Sequence, residues 1–146
     1  MPWIEWSPEY NVHINKIDEQ HKKFVGIINK LYEALSDEAV VKDAIRKVIE
    51  DLLDYTKYHF GTEEDLMRNS GHPDFLKHKA EHDSFVKKAL EFKESYDKGN
   101  ILALRSDAIR FLRDWLLNHI LTVDKSDFSP KNRYGWTAKE VSPDQK

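Results

Sequence analysis

The stretch VKDAIRKVIEDLLDYTKYHFGTEEDL, residues 41–66, decides the fold. Its apolar side chains recur every three or four residues, which places them on one face of an α-helix. His59 and Glu63 continue this spacing, so they belong to the same inward face. Burying an imidazole and a carboxylate is costly unless something satisfies them. The stretch therefore predicts a packed helix whose inward face places a histidine and a glutamate in the core.

Three further segments show the same spacing, the first of them over about residues 18–36. Their inward positions are Ile17, His21, Phe24, Ile28, Leu31 and Leu35, then Phe75, His78, His82, Phe85, Ala89, Phe92 and Tyr96, then Ile109, Leu112, Leu116 and His119. Gly71, Pro73 and Gly99 fall between the segments and separate them. Four amphipathic helices with short connections predict an all-α protein, an up-down-up-down antiparallel four-helix bundle.

The two ends of the chain differ from the helical middle. Residues 1–16 carry Trp3, Trp6 and Tyr10 and are predicted to form an N-terminal arm that covers the bundle. We expect residues 1–128, arm included, to form one domain. Residues 129–146 read as a polar C-terminal tail with one aromatic anchor, Trp136.

Composition excludes several classes of function. A net charge of −3 without a basic patch argues against nucleic acid as a partner. The absence of cysteine excludes disulfides, thiolate metal sites and a cysteine nucleophile. No apolar run is long enough to span a bilayer, and the first ten residues lack the pattern of a secretory signal. We therefore expect a cytoplasmic protein without membrane contact, and the charged outer faces favour a monomer.

Five of the seven histidines occupy the inward seams, namely His21, His59, His78, His82 and His119. A single histidine on an apolar face is more often a hydrogen-bonded core residue than a ligand. Five of them spread over four helices favour ligands, because the regions that carry them lie at one end of an antiparallel bundle. His13 and His72 lie off the seams, and we expect both to be exposed.

Two carboxylates can join these imidazoles. Glu63 shares the face of His59, whereas Glu64 and Asp65 are rotated by roughly 100° and 200° and should form an acidic surface. Asp124 follows His119 by five residues, which puts it about 140° away on a regular helix. Spacing alone leaves two interpretations open for Asp124. It is either a surface aspartate or a ligand brought round by a π-type distortion.

Imidazole and carboxylate donors without thiolate suit iron, manganese or zinc. Five imidazoles and two carboxylates are too many for one ion, so two bridged ions fit better. With a bridging oxygen, these donors would fill all but one position around two six-coordinate ions. A single vacancy is suited to one small exogenous ligand.

The motifs DEQH (18–21), HFGTEE (59–64), HKAEH (78–82) and NHILTVD (118–124) resemble those of the hemerythrins, most closely the single-domain bacterial ones. The resemblance covers about residues 3–127 and implies a non-haem centre of two Fe ions. By this resemblance, one iron would be held by His78, His82 and His119, and the iron with the vacancy by His21 and His59. Glu63, Asp124 and an oxo or hydroxo group would bridge the two ions.

The function implied by the resemblance is reversible O2 binding for carriage, storage or delivery to an oxidase or another recipient protein, with no catalytic residues. A di-iron oxidase, peroxidase or NO-reducing enzyme on the same scaffold remains an alternative, as does a stand-alone O2 sensor. Leu116 shares the face of His119 and is expected to line the vacancy. Phe60 and Trp115 are expected to flank it, although plain core packing is the more common reason for such residues, and the two roles are compatible.

Overall fold

The computed structural model describes residues 2–37, 39–40, 42–101 and 104–133. Three long helices come first: α1 (Asn15–Ser36), α2 (Lys42–Asn69) and α3 (Phe75–Asp97). The fourth helical stretch runs through π1 (Leu104–Ala108), α4 (Ile109–Asn118), π2 (His119–Asp124) and α5 (Lys125–Asp127). Short 3-10 turns occupy Pro8–Tyr10 and Pro130–Asn132. These ranges contain no strand, and the predicted all-α class is confirmed.

Each helix of the bundle contacts two others along its length. Helix α1 packs on α2 and α4, and α3 packs on α2 and α4, so the four helices enclose one core. Fully buried side chains on the predicted seams fill it, among them Phe24, Ile28, Leu52, Phe85 and Leu112. Because each connection between consecutive helices is short, neighbouring helices run in opposite directions.

The fourth helical stretch departs from regular α-helix between the two residues whose spacing left two interpretations open. Segment π2 begins at His119 and ends at Asp124. A π-helix closes hydrogen bonds over five residues, so residues five apart face nearly the same way. The π-type distortion is therefore the interpretation that the structure supports, and Asp124 is buried inside the bundle rather than at the surface.

The N-terminal arm lies along α1 and reaches the fourth helical stretch. The Trp3 ring stacks on Tyr32 with centroids 4.1 Å apart, and Arg113 lies over its indole. The backbone of Ile4 pairs with the Asn29 amide, which accepts its N–H at 2.7 Å and donates to its carbonyl at 2.9 Å. These contacts hold the arm against the outside of the core.

A second apolar cluster closes the end of the bundle where α1 begins and α2 ends. It consists of Val12, Ile14, Ile17, Met67 and Phe128. We call these residues the end cluster. The cluster joins the arm, two helices and the residue after α5.

The segment after α5 folds back onto the arm. The guanidinium of Arg133 donates hydrogen bonds to the backbone carbonyls of Val12, His13 and Phe128. The rest of the predicted tail, with Trp136, lies outside the described residues, and the domain boundary at 128 stays a prediction. No helix in the described ranges is both long and apolar enough to cross a membrane.

Leu52→Ala should lower the free energy of unfolding by about 2–5 kcal/mol, because Leu52 is 1% exposed and its removal leaves a cavity. Leu90→Ala is the matched control on another helix, since Leu90 is 48% exposed. Its effect should stay within about 0.5 kcal/mol. Urea unfolding of both variants measures the difference, and equal losses would contradict the seam assignment.

Candidate metal centre

Seven polar side chains from all four helices meet at one end of the bundle, and each is buried. They are His21 from α1, His59 and Glu63 from α2, His78 and His82 from α3, and His119 and Asp124 from π2. Their donor atoms form two overlapping groups, each within 4.8 Å of one another, and Glu63 belongs to both. One group, here the three-histidine group, also contains His78, His82, His119 and Asp124, and the other, the two-histidine group, contains His21 and His59.

Glu63 lies between the two groups and presents one oxygen to each. Its Oε2 is 2.9 Å from Nε2 of His21 and 3.0 Å from Nε2 of His59. Its Oε1 is 3.2 Å from Nε2 of His78 and 3.0 Å from Nε2 of His82. A carboxylate divided in this way has the arrangement of a bridge between two cations.

Asp124 is divided between the groups in the same manner. Its Oδ2 is 3.2 Å from Nε2 of His21, in the two-histidine group. Its Oδ1 is 3.0 Å from Nε2 of His78 and 3.2 Å from Nε2 of His119, in the three-histidine group. Both carboxylates therefore lie where the two groups meet.

Several of these atoms have no hydrogen bond of their own. Both carboxylate oxygens of Asp124 and Nε2 of His119 are buried without an aligned partner among the described residues. Unsatisfied polar atoms are rare in a protein interior, and each needs an explanation. Cations placed between the imidazoles and the carboxylates would satisfy them all, so the residues fit a bound metal pair.

The outer nitrogens of three imidazoles contact oxygens that accept hydrogen bonds. The contacts are His59 Nδ1 to Gln20 Oε1 at 2.8 Å, His78 Nδ1 to Asp127 Oδ2 at 2.7 Å, and His82 Nδ1 to Glu64 Oε2 at 2.8 Å. An oxygen that can only accept requires the proton to sit on Nδ1. In the neutral imidazole this leaves the lone pair on Nε2, directed at the centre, which is the tautomer that a metal needs.

Residues 12–129 match the family model described as the hemerythrin HHE cation binding domain. The chain belongs to the hemerythrin family. A bacteriohemerythrin of Methylococcus capsulatus is 35% identical over 126 residues, covering 86% of this chain and 94% of that protein. A bacteriohemerythrin of Clostridium acetobutylicum is 38% identical over 125 residues, covering 82% and 95%. A crystal structure of wild-type hemerythrin superposes with a TM-score of 0.76 at 32% identity, covering 90% of this chain and 98% of that one.

Two expectations for this hemerythrin domain are wrong. Glu64 is not a solvated surface acid, because its side chain is only 17% exposed and its carboxylate accepts from His82. A rotation of 100° from Glu63 turns it towards α3 rather than into solvent. His72 is not exposed but buried, because its turn folds under the end of the fourth helical stretch, where its Nε2 lies 3.1 Å from the Asp127 carbonyl. His13 and Asp65 are exposed, as predicted.

Sequence reasoning missed Gln20 and Asp127, which contact ligand-type histidines from neighbouring helices. Both are buried polar residues, and Gln20 directly precedes His21. Each reaches across to a histidine on another helix, His59 and His78 respectively. Spacing along one helix carries no signal for such pairs, although a polar residue adjoining an inward seam is a weak hint.

Aromatic rings enclose the imidazoles. Phe60 stacks on His82 with centroids 3.8 Å apart, and Trp115 stacks on His119 at 4.6 Å. Trp115 therefore adjoins the three-histidine group, because a residue four positions before His119 shares its face, and its place beside the expected vacancy stays a prediction. Phe24 lies edge-on to His59 at 5.8 Å, the same centroid distance as Phe60, and the sequence analysis placed it on the inward seam without assigning it to the pocket. Leu116 is buried, and its place beside the vacancy stays a prediction.

The close carboxylates dominate the pKa values of His21 and His78, whereas burial lowers the pKa of His59. Burial alone lowers the pKa of His21, but Asp124 and Glu63 outweigh burial and raise it to about 9. For His78 the balance is the same, and its pKa is raised to about 12. Burial raises the pKa of the Glu63 carboxyl, yet the imidazoles, His59 foremost, lower it well below the usual value. In the metal-free protein, protons on the imidazoles therefore offset the charge of the carboxylates.

This balance predicts opposite pH dependences of stability with and without metal. The raised pKa of His21 stabilises the metal-free fold fully below about pH 6.5, its unfolded value, and this contribution is lost as the pH rises through about 9. The metal-loaded protein should instead gain stability as the pH rises to about 6.5 and stay level above it, because its ligand imidazoles are already deprotonated and only the unfolded chain still loses protons. Urea unfolding between about pH 6.5 and 9 tests this: the metal-free protein should lose stability over this range and the loaded protein should not, and an equal loss in both would contradict it.

Proposed function

We propose that this chain binds O2 reversibly at a non-haem di-iron centre and acts as an oxygen carrier, store or delivery protein. The observation that carries the proposal is the division of Glu63 and Asp124 between a group of three histidines and a group of two. Membership of the hemerythrin family supports it. The monomeric state, the cytoplasmic location and an oxidase or similar recipient predicted from the sequence remain part of this proposal.

The two groups differ in their number of imidazoles, and we use this difference to propose which residues would hold which iron. His78, His82 and His119 would hold one iron, and His21 and His59 the other. Glu63 and Asp124 would bridge the two together with an oxo or hydroxo group. When bound, the iron pair supplies the electrons that O2 takes up on binding and returns on release.

The donor set favours reversible binding over oxidation chemistry. Five imidazoles and only two carboxylates give mainly neutral donors, and neutral donors stabilise strongly oxidised iron less than anionic ones. The same set keeps the number of buried negative charges low. The residues would thus hold a metal pair without stabilising the strongly oxidised iron that oxidises substrates.

Besides the donor atoms, the chain provides an apolar environment around the proposed metal centre. All seven side chains are buried, and the end cluster closes the bundle where α1 begins. Phe128 of that cluster lies 5.6 Å from the ring of His78, and Phe24 and Phe60 contact the inner imidazoles. These apolar side chains would shield the imidazoles that they contact from water and from anions, which would compete with O2 or deliver protons to it.

Oxygenation of the iron-loaded protein tests the function. The protein should contain two irons per chain, develop a visible band when the reduced form meets O2, and lose that band under argon over repeated cycles. Irreversible conversion to the ferric form with turnover of a substrate would instead support an oxidase, a peroxidase or an NO-reducing enzyme. Purified protein that carries a single zinc and takes up no iron would refute the proposal.

Leu116→Ala should accelerate conversion of the oxygenated protein to the ferric form severalfold, because the shorter side chain admits water to the vacancy. Leu112→Ala is the matched control, since Leu112 is an equally buried leucine one turn earlier in α4. Both substitutions should cost about 2–5 kcal/mol of stability, but only the first should change the decay rate of the visible band. Equal decay rates would remove Leu116 from the pocket.

A further inference from the structure

The three-histidine group has negatively charged partners on the outer side of its imidazoles. The Nδ1 atoms of His78 and His82 contact the carboxylates of Asp127 and Glu64 at 2.7 and 2.8 Å. The Nδ1 atom of His119 faces a third carboxylate, that of Glu81, at 3.7 Å. In this group, Nδ1 of every imidazole therefore faces a carboxylate oxygen.

The two-histidine group has a neutral partner. Nδ1 of His59 contacts the amide oxygen of Gln20 at 2.8 Å. Thr62 fixes the orientation of that amide, because its Oγ1 donates to the Tyr58 carbonyl and is left to accept from Nε2 of Gln20 at 3.3 Å. The oxygen of Gln20, not its nitrogen, therefore faces His59.

His21, the other member of this group, has no outer partner. Its Nδ1 is buried without a hydrogen bond to any described residue. Asp18, a buried acid three residues earlier on α1, accepts other hydrogen bonds, because its carboxylate binds the backbone N–H groups of Val12 and His13 at 2.7 and 3.1 Å. Among the described residues, no carboxylate thus accepts a hydrogen bond from Nδ1 of either imidazole in the two-histidine group, and Asp18 acts on His21 through its charge alone.

This difference bears on the strength of the inner donors. A carboxylate that accepts the Nδ1 proton draws it away from the ring and makes Nε2 a more basic, stronger ligand, whereas a neutral amide does so less. We propose that Glu64, Asp127 and Gln20 are positioning residues that set unequal metal affinities, so that the three-histidine position fills first and holds its ion more tightly. The ion beside the vacancy keeps the weaker donors, which favours its divalent state. This inference rests on the proposed two-metal centre.

Titration of the metal-free protein with Co²⁺ under anaerobic conditions tests the inference without any O2 chemistry. Calorimetry gives the two association constants, and the cobalt ligand-field spectrum shows which step fills which position. The wild type should bind in two separate steps. Glu64→Gln and Asp127→Asn should each weaken the first step about 10–100-fold and leave the second unchanged. Gln20→Glu should strengthen the second step alone and bring the two closer.

Matched controls separate this local effect from a general change of charge. Asp65→Asn removes an acid next to Glu64 that is exposed and paired with Arg68. Asn15→Asp adds a charge to α1 at an exposed position five residues before Gln20. Both should leave the two constants unchanged. A variant that changes the melting temperature of the metal-free protein but shifts both steps equally would have a merely structural role.

The outcomes distinguish the inference from the proposed function. Two bound ions with equal wild-type constants, or variants indistinguishable from their controls, would overturn the inference and leave the di-iron proposal standing. Fewer than two bound ions in the wild type would overturn both. Site-selective shifts in Glu64→Gln and Gln20→Glu support the inference even if Asp127→Asn fails to fold.

Discussion

The contact between one buried carboxylate and four imidazoles governs the rest of this structure. Glu63 of α2 reaches His21 on α1 and both His78 and His82 on α3, besides His59 on its own helix. Sliding any of these helices by one turn would leave an uncompensated charge in the core, which is far more costly than a shifted apolar contact. The carboxylate therefore fixes the register of three helices, and Asp124 adds the fourth through His21, His78 and His119.

Two apolar clusters surround the end of the bundle that carries the buried imidazoles and carboxylates. The main core fills the length of the bundle, and the end cluster packs at the end that carries these polar side chains. The arm joins the two, because Ile4 belongs to the core and Val12 to the end cluster. Asp18 and Arg133 hold the Val12–His13 backbone from opposite sides, through its N–H groups and its carbonyls. Closure of the site thus depends on residues far from it in sequence.

The sequence predicted most of the fold because the inward seams are long and regular. The helix ends lie within a few residues of their predicted places. Five histidines and Glu63 were expected to converge from the seams and the antiparallel order. Spacing left Asp124 open, since it could share a face with His119 only if the helix widened, and the π segment provides that widening. What failed depends on contacts between elements: the turn of His72 against α5, the tilt of Glu64 towards α3, and the outer partners Gln20 and Asp127. No periodicity along a single helix encodes such contacts.

Anomalous diffraction at the iron edge, from crystals of the iron-loaded protein, tests most directly whether these side chains hold a metal pair. Two iron peaks are expected, one among Nε2 of His78, His82 and His119 and one beside Nε2 of His21 and His59. The oxygens of Glu63 and Asp124 should be shared between them. A single peak, or peaks that leave either carboxylate on one ion alone, would contradict the proposed centre.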